Sequence, residues 1–83
     1  MKEPRWIRFE ERPSLRGRRT RRWAVVNKER GDHLGEISWY GPFRQYSFCP
    51  SGTAVFERQC LRDIANFCEL QTRAHRAAKA AGQ

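Results

Sequence analysis

An 83-residue chain has room for one domain, and at this length only about 60% of the surface exposed by the unfolded form is buried, so the core must be small. Its 17 lysines and arginines against 9 acidic residues leave a net charge of +8, which points to a nucleic acid or an acidic protein surface as partner rather than to lipid. No segment approaches the roughly 18 apolar residues of a membrane span and no apolar signal-peptide stretch opens the sequence, so no membrane role is expected and the cytoplasm is the expected location.

In chain order, residues 5–12 mix apolar and charged side chains with partial alternation and stop at Pro13, which reads as an edge strand guarded by charge. Residues 13–22 read as a basic loop. Ser14, Gly17 and Thr20 punctuate Arg16, Arg18, Arg19, Arg21 and Arg22, and no apolar period survives among them. This cluster makes the charge uneven, with 11 basic and 5 acidic residues up to His33. Arginine dominates it, and the planar guanidinium matches phosphate and carboxylate geometry.

Residues 23–27, Trp-Ala-Val-Val-Asn, are β-branched and aromatic and predict a strand, followed by a polar turn through Gly31-Asp32. Residues 34–40 and 43–49 predict two more strands, joined by Gly41-Pro42 as a two-residue turn. That turn places Tyr40 opposite Phe43, Trp39 opposite Arg44, Ile37 opposite Tyr46 and Gly35 opposite Phe48. The face of Gly35, Ile37, Trp39, Tyr46 and Phe48 is then dry, and the face of Glu36, Ser38, Gln45 and Ser47 is wet. Trp39 and Arg44 would form a cross-strand cation–π pair.

Pro50-Ser51-Gly52 breaks the sheet, and residues 53–56 either re-enter it or lead into a helix over 57–80. Leu61, Ile64, Ala65 and Cys68 recur at helical spacing with Cys60 and Phe67 beside them, so one stripe faces the sheet. Beyond Leu70 the alanine-rich tail continues the helix past the core. The expected fold class is therefore α+β: an antiparallel sheet of three to four strands packed against one C-terminal helix, in a single domain spanning 1–83.

Nothing predicts catalysis. His33, His75 and three cysteines form no nucleophile–base spacing, no glycine loop precedes a Lys-Ser/Thr pair, and Cys49, Cys60, Cys68 and His75 lack the close couple of a zinc site. No enzyme activity, metal or cofactor is expected, and the odd cysteine count predicts reduced thiols, with Cys60 and Cys68 packing in the core. The binding candidates are Arg16, Arg18, Arg19, Arg21, Arg22 and Arg44 for an acidic partner, with Tyr40 and Phe43 as aromatic anchors at the hairpin tip. An uncovered edge at 23–27 or 43–49 could also pair with a second copy.

The run Leu34-Gly35-Glu36-Ile37-Ser38-Trp39-Tyr40-Gly41-Pro42-Phe43-Arg44-Gln45-Tyr46-Ser47-Phe48, with Val55-Phe56 and Cys60-Leu61-Arg62-Asp63-Ile64, resembles small uncharacterised proteins encoded by bacteriophages and mobile elements. The resemblance spans about residues 22–70 and implies an accessory protein working in the cytoplasm of a bacterial host. Three strands followed by a helix is similar in architecture to the arm-binding domain of phage integrases and the plant ethylene-response DNA-binding domain, which read DNA with the sheet. The expectation is a DNA-binding module using the arginine loop and the wet sheet face. The alternative is a phage-encoded inhibitor of a host enzyme or defence system, in the manner of an anti-CRISPR protein.

Overall fold

The computed structural model describes residues 3–82. Four strands, β1 (Ile7–Arg12), β2 (Arg22–Asn27), β3 (His33–Tyr40) and β4 (Gln45–Pro50), form one antiparallel sheet in sequence order, and a single long helix, α1 (Arg58–Gly82), follows. The fold is α+β, a four-stranded antiparallel sheet with one C-terminal helix.

Side-chain alternation assigns the two faces. Ile7 and Phe9 of β1, Trp23 and Val25 of β2, Gly35, Ile37 and Trp39 of β3, and Tyr46 and Phe48 of β4 share the face that α1 covers. Ile7, Val25 and Ile37 lie at its centre, each at most 1% exposed. An aromatic chain crosses this layer: Phe9 stacks on Phe67 at 4.0 Å, Phe67 meets Trp23 edge-on at 5.1 Å, Trp23 meets Tyr46 at 5.3 Å, and Tyr46 meets Trp39 at 5.3 Å. Rings of this size let a small core bury enough apolar surface.

Gly35 has a packing reason to be glycine. The Phe48 ring lies across it, and a Cβ there would come within 2.5 Å of the ring and 2.6 Å of the Cys49 carbonyl oxygen. Behind it Phe56 closes the layer edge-on to Phe48 at 5.2 Å, so residues 53–56 lead into the helix rather than rejoining the sheet.

The β3–β4 connection differs from the expected two-residue turn. Gly41–Phe43 form a 3₁₀ turn with proline in its first positions, and Arg44 adopts a left-handed conformation at φ 55°, its N–H donating to the carbonyls of Tyr40 and Gly41. The loop thus takes four residues and the register moves by two, pairing Tyr40 with Gln45, Trp39 with Tyr46 and Ile37 with Phe48. A shift of two preserves which face each side chain occupies but changes every partner. Arg44 therefore does not oppose Trp39, and the expected cation–π pair is replaced by the Trp39–Tyr46 contact.

Two further expectations are corrected. Residues 23–27 are not an edge, since β2 is flanked by β1 and β3; the edges are β1 and β4. The buried stripe of α1 is also rotated from the expected one: Cys60, Ile64 and Thr72 are buried with Phe67 and Cys68 partly so, whereas Leu61 is 51% exposed and Ala65 is exposed. The helix packs chiefly along β4 at one side of the sheet, which turns the Cys60–Ile64–Thr72 line inward. Thr72 is tolerated there because its hydroxyl donates to the Cys68 carbonyl at 2.7 Å and accepts the Tyr46 backbone N–H at 3.0 Å. Its bond to Tyr46 caps part of the outer edge of β4. Cys60 and Cys68 do pack in the core, and burial pushes the Cys68 thiol up to about 11.

Candidate functional site

The strand directions determine where the charge goes. The β1–β2 loop (residues 13–21) and the β3–β4 turn lie at the same end of the sheet, because β1 and β3 both run toward it. After β4 the chain crosses at the far end, and α1 returns toward the two turns. A helix of 25 residues extends about 37 Å, whereas strands of six to eight residues reach roughly 20–26 Å. From Thr72 onward the helix therefore lies at or beyond the end holding both turns.

Residues 11–22, 38–46 and 71–82 meet at this end. Together they contain ten lysines and arginines and one acidic residue, Glu11, while the rest of the chain contains seven basic and eight acidic residues. The net positive charge is thus a property of one pole of the fold, not of the N-terminal third alone.

Within that pole the arginines divide into two sets. Arg21 is held by Glu11 at 2.7 and 2.8 Å, packs its guanidinium over Trp23 at 4.9 Å from the ring centre, and donates its backbone N–H to the Tyr46 hydroxyl at 3.1 Å. Its hydrogen bonds hold the Glu11 carboxyl below the usual range. Arg22 belongs to β2 rather than to the loop, and donates to the Pro13 carbonyl at 2.8 Å and to Glu36 at 3.3 Å. Both guanidiniums are thus engaged within the fold. Arg16, Arg18 and Arg19 are exposed and pair with no carboxylate among the described residues, in a loop shaped by the Arg18 N–H to Leu15 carbonyl bond and by Gly17 at φ 80°.

Arg44 is exposed at the turn, where its carbonyl accepts a 2.9 Å bond from Arg76 of α1, tying the turn to the helix. Tyr40 and Phe43 are 47% and 65% exposed and meet edge to face at 4.9 Å, so the two expected anchors form one apolar knob beside Arg44. Glu36, Arg22, Arg8, Glu10 and Arg12 lie on the open face of the sheet and pair in two groups, Arg22–Glu36 and Arg8–Glu10–Arg12, which together leave one net positive charge. That face carries little free charge.

Sequence reasoning missed the helical contribution. His75 sits against Trp39 at 4.6 Å, and His75, Ala78 and Lys79 form a hollow with Arg19 and Thr20 of the loop, about 450 Å³ in volume. The signal was present in the length of the alanine-rich tail, which could only overshoot the sheet. Among the described residues no three His, Cys, Asp or Glu side chains group as metal ligands. Cys49 is exposed on the open face, across the sheet from Cys60 and Cys68. No described helix is long and apolar enough to cross a membrane.

No protein-family model and no solved structure matches the chain. It is similar to an uncharacterised 9.3 kDa protein of Acholeplasma phage L2, 33% identical over 51 residues, which covers 61% of this chain and 65% of the phage protein. The chain thus spans just under two thirds of the phage protein that it matches, and its likeness is to a small protein of a bacteriophage.

Proposed function

We propose that this protein is a small nucleic-acid-binding module, acting without catalysis or cofactor in the bacterial cytoplasm as a phage accessory protein. One observation carries the reading: ten basic residues and a single acidic one converge on one pole from three separate segments. Arg16, Arg18, Arg19, Arg44, Arg76 and Lys79 are the cations there that no carboxylate among the described residues neutralises. Phosphates neutralised by such a surface release condensed counterions, so affinity falls steeply with salt. The open sheet face, whose charges pair among themselves, is a weaker contributor than the pole.

A second reading, inhibition of a host protein through an acidic surface, is favoured by the Tyr40–Phe43 knob, an exposed apolar anchor next to Arg44 on the basic pole. Fluorescence anisotropy of labelled single-stranded and duplex DNA at about 50 and 200 mM salt separates the two. Binding that weakens steeply between those concentrations is expected, with the salt slope reduced by about 2–3 in the Arg16→Ala/Arg18→Ala/Arg19→Ala variant. No binding of either probe at the lower salt overturns the nucleic-acid reading in favour of a protein partner.

A further inference from the structure

The basic pole is concave, and its shape narrows the ligand class. Between the 13–21 loop and α1 lies the hollow of Arg19, Thr20, His75, Ala78 and Lys79, about 450 Å³ in volume, with two cations and no carboxylate in its lining. On the other side of Thr20 a second hollow of about 210 Å³ runs past Arg18, Ser38 and the Arg22–Glu36 pair to Trp39. The Trp39 side chain links the two, because its ring contacts His75 at 4.6 Å. Tyr40 and Phe43 lie exposed at the same end of the sheet, at the β3–β4 turn.

Duplex readers insert a helix or a two-stranded ribbon into a groove and present hydrogen-bonding side chains from it. Here the protruding element is the last turns of α1, whose residues 77–82 are Ala, Ala, Lys, Ala, Ala and Gly, with almost nothing to read a base edge. The charged side chains of the open sheet face are already engaged with one another, Arg22 with Glu36 and Arg8 and Arg12 with Glu10. A cationic hollow with exposed rings at the same end of the fold is instead the kind of arrangement that holds a single strand, with phosphates on the cations and unstacked bases on the aromatics.

We propose that the pole binds single-stranded nucleic acid, with a backbone phosphate seated between Arg19 and Lys79 and bases stacked on the Tyr40–Phe43 knob. This rests on the nucleic-acid reading above and names its ligand. The phosphodiester is common to DNA and RNA, and the probes tell them apart.

The test is anisotropy with fluorescein-labelled oligo(dT) and oligo(U) of about 15 nucleotides, within the range that a single small binding fold covers, and a duplex of equal length, in one buffer at two salt concentrations. At least one single strand should bind about tenfold more tightly than the duplex, and the tighter of oligo(dT) and oligo(U) identifies the polymer. Arg19→Ala/Lys79→Ala should weaken single-strand binding about tenfold and flatten its salt slope by about 1.4. Phe43→Ala should cost about tenfold for the single strand and leave the duplex unchanged. Arg58→Ala/Arg62→Ala removes equal charge near the opposite end of the helix and should change affinity less than twofold; unchanged circular dichroism and urea midpoints establish that each variant is folded. A duplex bound as tightly as both single strands overturns the ligand class, and equal losses from the Arg19/Lys79 and Arg58/Arg62 pairs overturn the site. If no probe binds at the lower salt, the broader nucleic-acid reading has failed instead.

Discussion

The Tyr46 hydroxyl accepts the backbone N–H of Arg21 at 3.1 Å, joining the first residue of the β4 core to the point where the basic loop re-enters the sheet. The ring of Tyr46 is 3% exposed and wedged between Trp23 and Trp39, so its hydroxyl is a fixed acceptor for an otherwise irregular segment. Loop position and core packing are therefore coupled through one side chain.

Tyr46→Phe keeps the ring and deletes that acceptor. The expected loss is about 1 kcal/mol in urea denaturation, the net worth of one hydrogen bond, together with faster amide exchange at Arg21. An Arg21 amide exchanging at the wild-type rate would show that the hydroxyl does not anchor the loop.

Thr72→Val preserves shape but leaves the Tyr46 backbone N–H buried without its acceptor. Stability should fall by about 1–3 kcal/mol, and Thr72→Ser, which keeps the hydroxyl, should recover most of it. Equal losses from the two would assign the effect to packing of the methyl group rather than to the bond.

Gly35→Ala places a methyl group against both the Phe48 ring and the Cys49 carbonyl. Overpacking at such a site costs about 1–3 kcal/mol. Adding Phe48→Leu should restore only part of the loss, because the carbonyl is backbone and cannot rotate away. Thermal melts of the single and double variants measure both effects.

Glu57 precedes α1 and its carboxylate accepts the Cys60 backbone N–H at 2.5 Å, which lowers its pKa below the ordinary value of 4.5. A depressed carboxyl contributes stability that is fully present above pH 4.5 and disappears as pH falls through the folded value. Glu57→Gln should therefore be less stable than wild type at neutral pH, with the gap closing on acidification below pH 4.5. A gap that is independent of pH would mean the charge does not stabilise the helix start.

Several features were legible locally. Alternation in 34–40 and 43–49 assigned the dry and wet faces correctly, and they survived the wrong turn because a two-residue slip preserves side-chain direction. The turn length was not legible, since Gly41-Pro42 fits a tight hairpin and nothing in the sequence marks Arg44 as a left-handed residue. The helix was anticipated from its period, but its inward face depended on which strand it packed against. Spacing alone places Leu61 in the core, whereas it lies outside because α1 settles along β4.

The candidate site divides in the same way. Composition and the 16–22 cluster determined that the chain is basic, that arginine dominates and that aromatics lie close by in sequence. Only the tertiary structure decided which arginines are already engaged, drawing Arg21 to Glu11 and Arg22 to Glu36, and it alone brought His75 and Lys79 beside Arg19. The physical reason is one of length and direction. Strand alternation and charge counts are read within a few residues, whereas the meeting of three distant segments follows from a helix longer than the sheet it crosses, running back toward the turns.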